Sequence, residues 1–300
     1  MPYIIDNAHV VKNGKLERYS FIIDGNRIDY ISEKMSFYQW MRMSVGEFWL
    51  TPGHVMLDFS LQEPRSFSDL KQYMQRHFLA RGCTTLLAVC DVLYERQLVK
   101  ALQKLRQNLL NSPIDYFIGV KIPLRTLTPS FIRACKQYKI PVVFIELKGD
   151  ERLDEIAWSW MYEAFVSYPV ALVPHWKEEV APKRLQENWR ERLSAHRIPF
   201  IPFSLKERMP LPLDVLKKIG IYPQKGDLRI GGEVDYNLYL RPPLSDLVAE
   251  TPVVDYDKHV PIITVHNGKV VKAGEQVFFH PGFGKERIVR APGMFAAYFE

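Results

Sequence analysis

The sequence has little cysteine and no long apolar run. Its three cysteines, Cys83, Cys90 and Cys135, form no C-x-x-C pair, so a reducing compartment is favoured over a disulfide framework. No stretch reaches the roughly 18 uninterrupted apolar residues of a membrane span. The N-terminus lacks a basic region followed by an apolar run, so no signal peptide is expected. We therefore expect a cytoplasmic protein that does not enter a membrane.

Several functional motifs are also missing. The sequence contains no P-loop, no G-x-G-x-x-G and no G-x-S-x-G pattern, which removes the usual signals of nucleotide binding and of a serine nucleophile. The formal net charge is +6, but basic residues are mixed with acidic ones, as in residues 183–187, and form no stripe. Nucleic acid is therefore not an expected partner. An apolar content of 47% in 300 residues is typical of a globular chain of one or two domains.

The middle of the chain alternates apolar segments of strand length with segments of helical periodicity. Five such pairs run from residue 55 to residue 196, and a sixth apolar segment follows at 200–203. This alternation predicts parallel strands with helical crossovers. Uninterrupted apolar strands such as 85–89 are typical of a sheet covered on both faces.

The two ends of the chain are instead rich in short strands and turns. Residues 3–31 predict a β-meander, and Asn267-Gly268 predicts a hairpin between 262–266 and 269–271. We predict that these ends fold together as one β-sandwich, with the α/β unit inserted between them. The predicted domains are residues 1–52 plus 222–300, and residues 53–221.

Four stretches at the domain junctions resemble the amidohydrolase superfamily, in the branch that holds dihydroorotase, dihydropyrimidinase and allantoinase. The stretches are residues 50–55, 80–86, 220–231 and 266–274. The first two are similar to the family's entries into barrel strands one and two. The last two are similar to its return into the sandwich and its final hairpin. The resemblance implies a TIM-like (β/α) barrel inserted into a small β-sandwich.

The resemblance also implies a metal site, which the sequence does not supply. The family uses zinc or another divalent metal to activate water, and its first strand carries Asp, x, His, x, His. In this sequence the matching positions hold Met56, Asp58 and Ser60. The fourth-strand lysine position aligns with Val143, although Lys121, Lys139 and Lys148 lie nearby in the sequence. We therefore expect no metal and no other cofactor.

The barrel is predicted to be shortened. A complete (β/α)₈ barrel takes roughly 250 residues, whereas residues 53–221 hold about six strand–helix units. The connection from 203 to 219 replaces the last two units, and no eighth strand supplies the family's catalytic aspartate. A bare sheet edge would favour association, so we expect a homo-oligomer through the sandwich or the open barrel side, or another protein partner.

Four side chains are the remaining site candidates, each with a structural alternative. Asp58 and His175 are the candidates for catalysis, and the alternative for Asp58 is a strand-end residue bonded to backbone amides. His175, Glu146 and Asp91 are the candidates for a residual metal site. The alternatives are an interface histidine for His175, a paired structural carboxylate for Glu146 and a loop carboxylate for Asp91.

The sequence thus favours an amidohydrolase-like pseudoenzyme that has lost metal and catalysis and acts by binding or assembly. One alternative is an active metal-dependent hydrolase of carbon–nitrogen bonds in cyclic amides, with a reorganised site. Another is a sensor of ureide- or pyrimidine-type small molecules that keeps a pocket without the chemistry.

Overall fold

The protein is described by a computed structural model that covers residues 1–12, 15–147, 153, 156–176, 183–241, 256 and 259–295. The strands within these ranges are β1 (Tyr3–Lys12), β2 (Lys15–Asp24), β3 (Arg27–Ser32), β4 (Met41–Ser44), β5 (Phe48–Pro52), β6 (His54–Asp58), β7 (Cys83–Asp91), β8 (Asp115–Pro123), β9 (Val142–Leu147), β10 (Ala171–Trp176), β11 (Tyr236–Leu240), β12 (Ile263–His266), β13 (Lys269–Ala273) and β14 (Gln276–Val277). The α-helices are α1 (Phe67–His77), α2 (Leu98–Asn108), α3 (Pro129–Tyr138), α4 (Trp158–Ser167), α5 (Lys183–Ala195) and α6 (Leu213–Ile219).

The strands at the two ends of the chain form one sheet, as the sequence predicted. Its order is β14-β13-β12-β11-β5-β1-β2-β3, with β4 paired to β1. The N- and C-terminal segments meet where β5 pairs antiparallel with β11 and Thr51 lies beside Asn237. The predicted hairpin at Asn267-Gly268 is confirmed, since both residues have positive φ, 49° and 77°, as its type of turn requires.

The middle of the chain forms a curled parallel sheet of five strands in the order β10-β9-β8-β7-β6. Alternate side chains divide between two cores. One lies between the sheet and α1–α5, where Met56, Leu86 and Val143 are buried. The other lies on the inward, concave face, where Leu57 and Phe144 are buried. The predicted shortened barrel is confirmed as a half-barrel, and the sixth predicted strand is reduced to one bridge between Leu172 and Phe200.

The connection that replaces the missing barrel units covers the open side. Helix α6 places Val215, Leu216 and Ile219 in the inward core. The residues before it run along the outer edge of β6, where the amide of Arg208 donates to Leu57 and that of Leu211 donates to Val55 at 2.9 and 2.8 Å.

The other edge of the parallel sheet is covered as well, because Ile201 donates its amide to the carbonyl of Leu172 on β10 at 2.8 Å. The connecting chain therefore makes backbone bonds at both edges of the parallel sheet. Self-association through the sandwich or the open barrel side stays a prediction.

The turn into β7 contacts the composite sheet directly. Gly82 has φ +78°, and a Cβ there would lie 2.7 Å from the amide oxygen of Asn237. The Asn237 amide nitrogen donates to the Gly82 carbonyl at 2.9 Å. Only glycine combines that backbone conformation with so close an approach. This turn therefore fixes the start of β7 against β11.

A buried ion network joins the same two units at the amino ends of the parallel strands. The ammonium of Lys225 lies 2.7 Å from Asp115, 2.6 Å from Glu233 and 2.5 Å from Asp235. Arg287 adds contacts of 2.8 Å to Asp115 and 2.5 Å to Glu233. Because Lys225 and Asp115 are both 1% exposed, each charge depends on its partners for stabilisation. The exact domain boundaries stay a prediction.

The described helices are all confined to the folded units. None of them has the length and hydropathy needed to cross a bilayer, within the ranges that the structure describes. The longest, α5, has 13 residues and buries only Trp189 and Leu193. Its other side chains are exposed or partly exposed.

Candidate functional site

The carboxyl ends of the parallel strands bring five side chains to one edge, which we call the mouth. Phe59 follows β6, and β7 to β10 supply one residue each. Each follows an inward-facing residue at a spacing of two, so all five belong to the concave face. They are Phe59, Asp91, Lys121, Glu146 and His175. Barrel enzymes place their chemistry at this end.

The first-strand positions that match the family's metal-ligand motif, Met56, Asp58 and Ser60, face the helices. Met56 belongs to the core beneath α1, and Asp58 accepts a hydrogen bond from Tyr73 of α1. Ser60 also contacts Tyr73, with 2.7 Å between the hydroxyls. These three residues therefore belong to the side of the sheet that faces α1. The physical reason is register, since Asp58 pairs with Ala88, whose side chain packs on the helix side.

Asp58 is buried and its carboxylate is fully engaged. One oxygen accepts from the amides of Ser60 and Leu61 at 2.8 and 2.9 Å and from the Ser60 hydroxyl at 3.0 Å. The other accepts from the Tyr73 hydroxyl at 2.5 Å and from Nε of Arg208 at 3.3 Å. Asp58 is thus a strand-end residue bonded to the backbone amides of Ser60 and Leu61.

The side chains of Tyr73 and Arg208, which donate hydrogen bonds to Asp58, both carry their protons at neutral pH. Burial first, and the hydrogen bond to Asp58 second, raise the pKa of Tyr73 to about 12. The tyrosine is therefore a protonated donor at neutral pH. Arg208 supplies the positive charge that the buried carboxylate needs. A metal would have to displace both groups to reach an oxygen lone pair.

The mouth itself is organised by Lys121. Its ammonium lies 3.0 Å from Asp91 and 5.3 Å from the centre of the Phe59 ring. His175 also packs against Phe59, and their ring centroids are 4.5 Å apart. The backbone of Asp91 is held in place as well, because its amide donates a hydrogen bond to the side-chain oxygen of Gln62 at 2.8 Å.

His175 is held as a neutral imidazole. Burial is the largest influence that lowers its pKa, and the charge of Lys121 lowers it further. The carboxylates of Glu146, Glu207 and Asp91 act in the opposite direction. The candidates His175, Glu146 and Asp91 therefore share one electrostatic neighbourhood.

The remaining predicted positions lie away from the mouth. Val143 is buried on the helix side, so it does not replace an interior lysine. Lys139 ends α3 with φ 57°, and Lys148 lies outside the described residues. Asp58 joins none of the mouth candidates because it faces the opposite side of the sheet.

Sequence reasoning did not assign Phe59 and Glu207 to the site. Glu207 accepts the amide of Phe59 at 2.8 Å and so fixes the backbone after β6. A signal for Lys121 existed in the alternation of Phe117, Gly119 and Lys121, which repeats at the period of a strand. Glu207 carries no such signal because it lies on the irregular connection.

The residues at the mouth do not fit the family's divalent metal. Within the described residues, no three side chains of His, Cys, Asp or Glu form a group that could hold one. The carboxylate of Asp91 is already paired with the ammonium of Lys121, and Phe59 offers a phenyl ring that cannot bind a metal as a ligand. A divalent cation beside Lys121 would meet like charge at close range.

A separate cavity lies at the opposite end of β6, between the composite sheet and α6. Its volume is about 480 Å³. Apolar and proline side chains dominate its wall, with His54, Lys217 and Asp227 among the polar groups. His54 is buried and contacts the Tyr239 hydroxyl at 2.5 Å. This size is within the range of small-molecule sites.

Comparison with known proteins identifies the fold. No protein-family model matches the chain, and no curated protein matches it. Among solved structures, a dihydropyrimidinase from Brevibacillus agri NCHU1002 is 11% identical with a TM-score of 0.67, over 99% of this chain and 100% of that one. A D-hydantoinase from Bacillus sp. AR9 is 10% identical with a TM-score of 0.68, over 97% and 99%.

A third solved structure, the L-hydantoinase (dihydropyrimidinase) from Arthrobacter aurescens, is 12% identical with a TM-score of 0.59, over 95% of this chain and 99% of that one. The predicted resemblance to cyclic amidohydrolases is therefore confirmed at the level of the fold. At these identities the likeness does not extend to activity.

Proposed function

We propose that this protein is a non-hydrolytic relative of the cyclic amidohydrolases that works through binding or assembly. The observation that carries the proposal is the Lys121–Asp91 pair at the mouth, 3.0 Å apart. The ammonium of Lys121 is the counter-ion of the Asp91 carboxylate at the mouth. Because this cation is part of the chain, it cannot deliver an activated water as a metal does.

The state of Asp58 supports the same proposal. Its 0% exposure and its link to Arg208 assign it to the structure of the β6–α1 junction. A carboxylate that accepts from two amides, two hydroxyls and a guanidinium has no lone pair left for substrate or metal. The residue nearest to a family ligand in the sequence thus has a structural role.

Turnover measurements test the proposal. Purified protein supplied with Zn²⁺ or Mn²⁺ is expected to leave hydantoin and dihydropyrimidine rings uncleaved, at the rate of buffer alone. Lys121→Met is the informative variant because it frees Asp91 while keeping a side chain of similar length. Ring opening by the unmodified protein that a chelator abolishes would contradict the proposal.

The alternative is a hydrolase with a reorganised site. Its supporting observation is the neutral His175 beside Glu146 and Glu207, since an imidazole near carboxylates is suited to general-base chemistry. This alternative predicts turnover that His175→Gln abolishes. It also predicts that Asp58→Ala reduces turnover, through the loss of order at the end of β6.

The second alternative is a sensor of ureides or pyrimidine-type rings. The cavity of about 480 Å³ beside His54 supports it, because the volume suits a small ring. A ligand that binds only the folded protein raises its melting temperature. A thermal-shift screen with these compounds, repeated on His54→Gln, separates the sensor from a protein that acts by assembly alone.

A further inference from the structure

Strand β4 lies at an edge of the composite sheet. Among the strands that the structure describes, it pairs with β1 alone, and all four of its residues, Met41–Ser44, are exposed. Within the described residues, no backbone bond reaches its outer edge. Such an edge presents a row of unpaired amides and carbonyls to another strand.

One face of β4 continues the core face of the composite sheet. Met41 lies beside Tyr3, and Met43 lies beside Ile5. Ile5 is 1% exposed in the sandwich core, whereas Met41 is 72% and Met43 38% exposed. The apolar face of the sheet therefore extends onto β4, where no side chain buries Met41 or Met43 to the extent that Ile5 is buried.

Aromatic residues just before β4 enlarge this surface. Phe37 is 94% exposed, and the rings of Tyr38 and Trp40 stack with centroids 5.1 Å apart. Together with the two methionines they form what we call the β4 patch: Phe37, Tyr38, Trp40, Met41 and Met43. A contiguous apolar surface of this kind marks an interaction site.

The segment is held in place by Arg42. Its guanidinium contacts Asp6 at 3.0 Å and donates to the carbonyl of Tyr38 at 3.0 Å. It also donates to the carbonyl of Met35. These bonds neutralise the charge of Arg42 and order the strand before any partner arrives, which reduces the entropic cost of binding.

We infer that the β4 patch is a self-association surface, at which a second copy adds its own β4 antiparallel across a two-fold axis. The patch exposes roughly 600 Å² of side chain per copy, taking about 200 Å² for a full aromatic side chain. Two copies then bury roughly 1,200 Å², the lower limit of a standard interface. Two-fold pairing of identical edges completes the backbone bonds of both copies at once.

The charges favour a second copy over a foreign peptide. Because Arg42 is already paired with Asp6, bringing two copies of β4 together opposes no free like charges. Met41 and Met43 of each copy would cover those of the other. The inference names a surface for the assembly part of the proposed function and rests on it. Loss of hydrolysis is tested by turnover, so the two can fail separately.

Sedimentation equilibrium tests the inference. At micromolar concentration we expect a mass twice that of the 35.1 kDa chain. Met41→Lys and Met43→Lys, which place charges on the edge, are expected to give the single-chain mass. Leu110→Lys is the matched control, because Leu110 is 71% exposed and receives the same charge. A single-chain mass for the unmodified protein, or a dimer that both β4 variants retain, would overturn the inference.

Cross-linking locates the contact. The three native cysteines are buried, so a cysteine introduced at Met43 is the reactive one. Met43→Cys is expected to give a covalent dimer with a short bis-maleimide, and Leu110→Cys is expected to give none. Equal cross-linking of both variants, or none at Met43→Cys in a protein of doubled mass, would place the interface elsewhere and overturn the inference.

Discussion

The two ends of the parallel sheet both carry ion pairs, but they bury them to different extents. At the amino end, Lys225 and Asp115 are each 1% exposed. At the mouth, Lys121 and Asp91 are 18% and 40% exposed. Charges that are fully removed from water must be completely paired, and they make the fold intolerant of change. Half-exposed charges contribute less to stability, so the mouth is free to vary where chemistry would lie.

His266 completes the amino-end network. Its Nδ1 lies 3.1 Å from Asp235 and its Nε2 lies 3.8 Å from Asp115. Burial is the largest influence on the pKa of Asp235 and raises it, but the hydrogen bond of His266 and the charge of Lys225 outweigh burial and lower it. The network likewise lowers the pKa of Asp115, where burial is outweighed by the charges of Lys225 and His266, so both aspartates stay ionised. This end of the sheet is built for stability, by contrast with the mouth.

The largest expected effect comes from removing the central cation of the network. Lys225→Met leaves three carboxylates facing one another, and we expect a loss of about 3–5 kcal/mol in the free energy of unfolding. Urea denaturation at neutral pH measures it. Lys217→Met is the control, since the ion pair of Lys217 among the described residues is with the exposed Asp214 at 3.7 Å, and its loss should change stability by less than about 1 kcal/mol. Equal effects of the two variants would remove the distinction between the ends.

The second prediction concerns Asp58, which lies near the mouth but is as fully buried as the ion network at the amino end. Asp58→Ala leaves two amides, Tyr73 and Arg208 without their acceptor, and we expect a loss of about 2–3 kcal/mol. Asp91→Ala, which removes a carboxylate that is 40% exposed, should cost about 1 kcal/mol or less. Thermal denaturation compares the two. An Asp58→Ala protein as stable as Asp91→Ala would refute the structural role of Asp58.

A third prediction compares the histidines at the two ends. Burial lowers the pKa of His54 to about 3, below the value of about 6.5 in an unfolded chain. Between these values only the unfolded state takes up the proton, so stability falls as the pH falls. The expected loss from this residue is about 2 kcal/mol between pH 6.5 and pH 5.

Replacing each histidine separates its share of that pH dependence. His54→Gln should flatten the dependence of unfolding free energy on pH in this interval. His175→Gln should flatten it less, because the carboxylates at the mouth oppose part of the lowering of its pKa. A greater flattening by His175→Gln would show that the mouth is the more buried end.

The smallest expected effect is at Glu146. Glu146→Gln should change the free energy of unfolding by less than about 0.5 kcal/mol, as for most partly exposed positions. Glu233→Gln is the counterpart at the other end and should cost more, because Glu233 binds both Lys225 and Arg287. Chemical denaturation in parallel measures the difference. A larger loss at Glu146 would indicate a paired structural carboxylate there.

The fold was accessible from the sequence because its signals are local. Strand–helix alternation and the positive-φ pair Asn267-Gly268 are read over a few residues, and both are confirmed. The face of β6 was not accessible. The motif gives the spacing of Met56, Asp58 and Ser60, and spacing of two puts them on one face, but only the pairing with β7 decides which face that is.

The ion network and the closure of the half-barrel depend on contacts that are distant in the sequence. Asp115 begins β8, whereas Lys225 lies far along the chain outside the helices and strands. The local sequence around either residue does not predict its contact with the other. The backbone bonds of Arg208 and Leu211 to β6 could not be predicted either, because these residues belong to an irregular connection rather than to a strand. Lys121 could have been found, since it follows Phe117 at strand spacing.

Metal analysis tests the central claim most directly, namely that the mouth holds a lysine–carboxylate pair in place of a catalytic metal. Purified protein, dialysed after incubation with Zn²⁺, Mn²⁺ or Ni²⁺, would be analysed by inductively coupled plasma mass spectrometry beside Lys121→Met. The account predicts far less than one metal per chain in the unmodified protein. One or more tightly held metals per chain, lost on His175→Gln or Asp91→Ala, would contradict it.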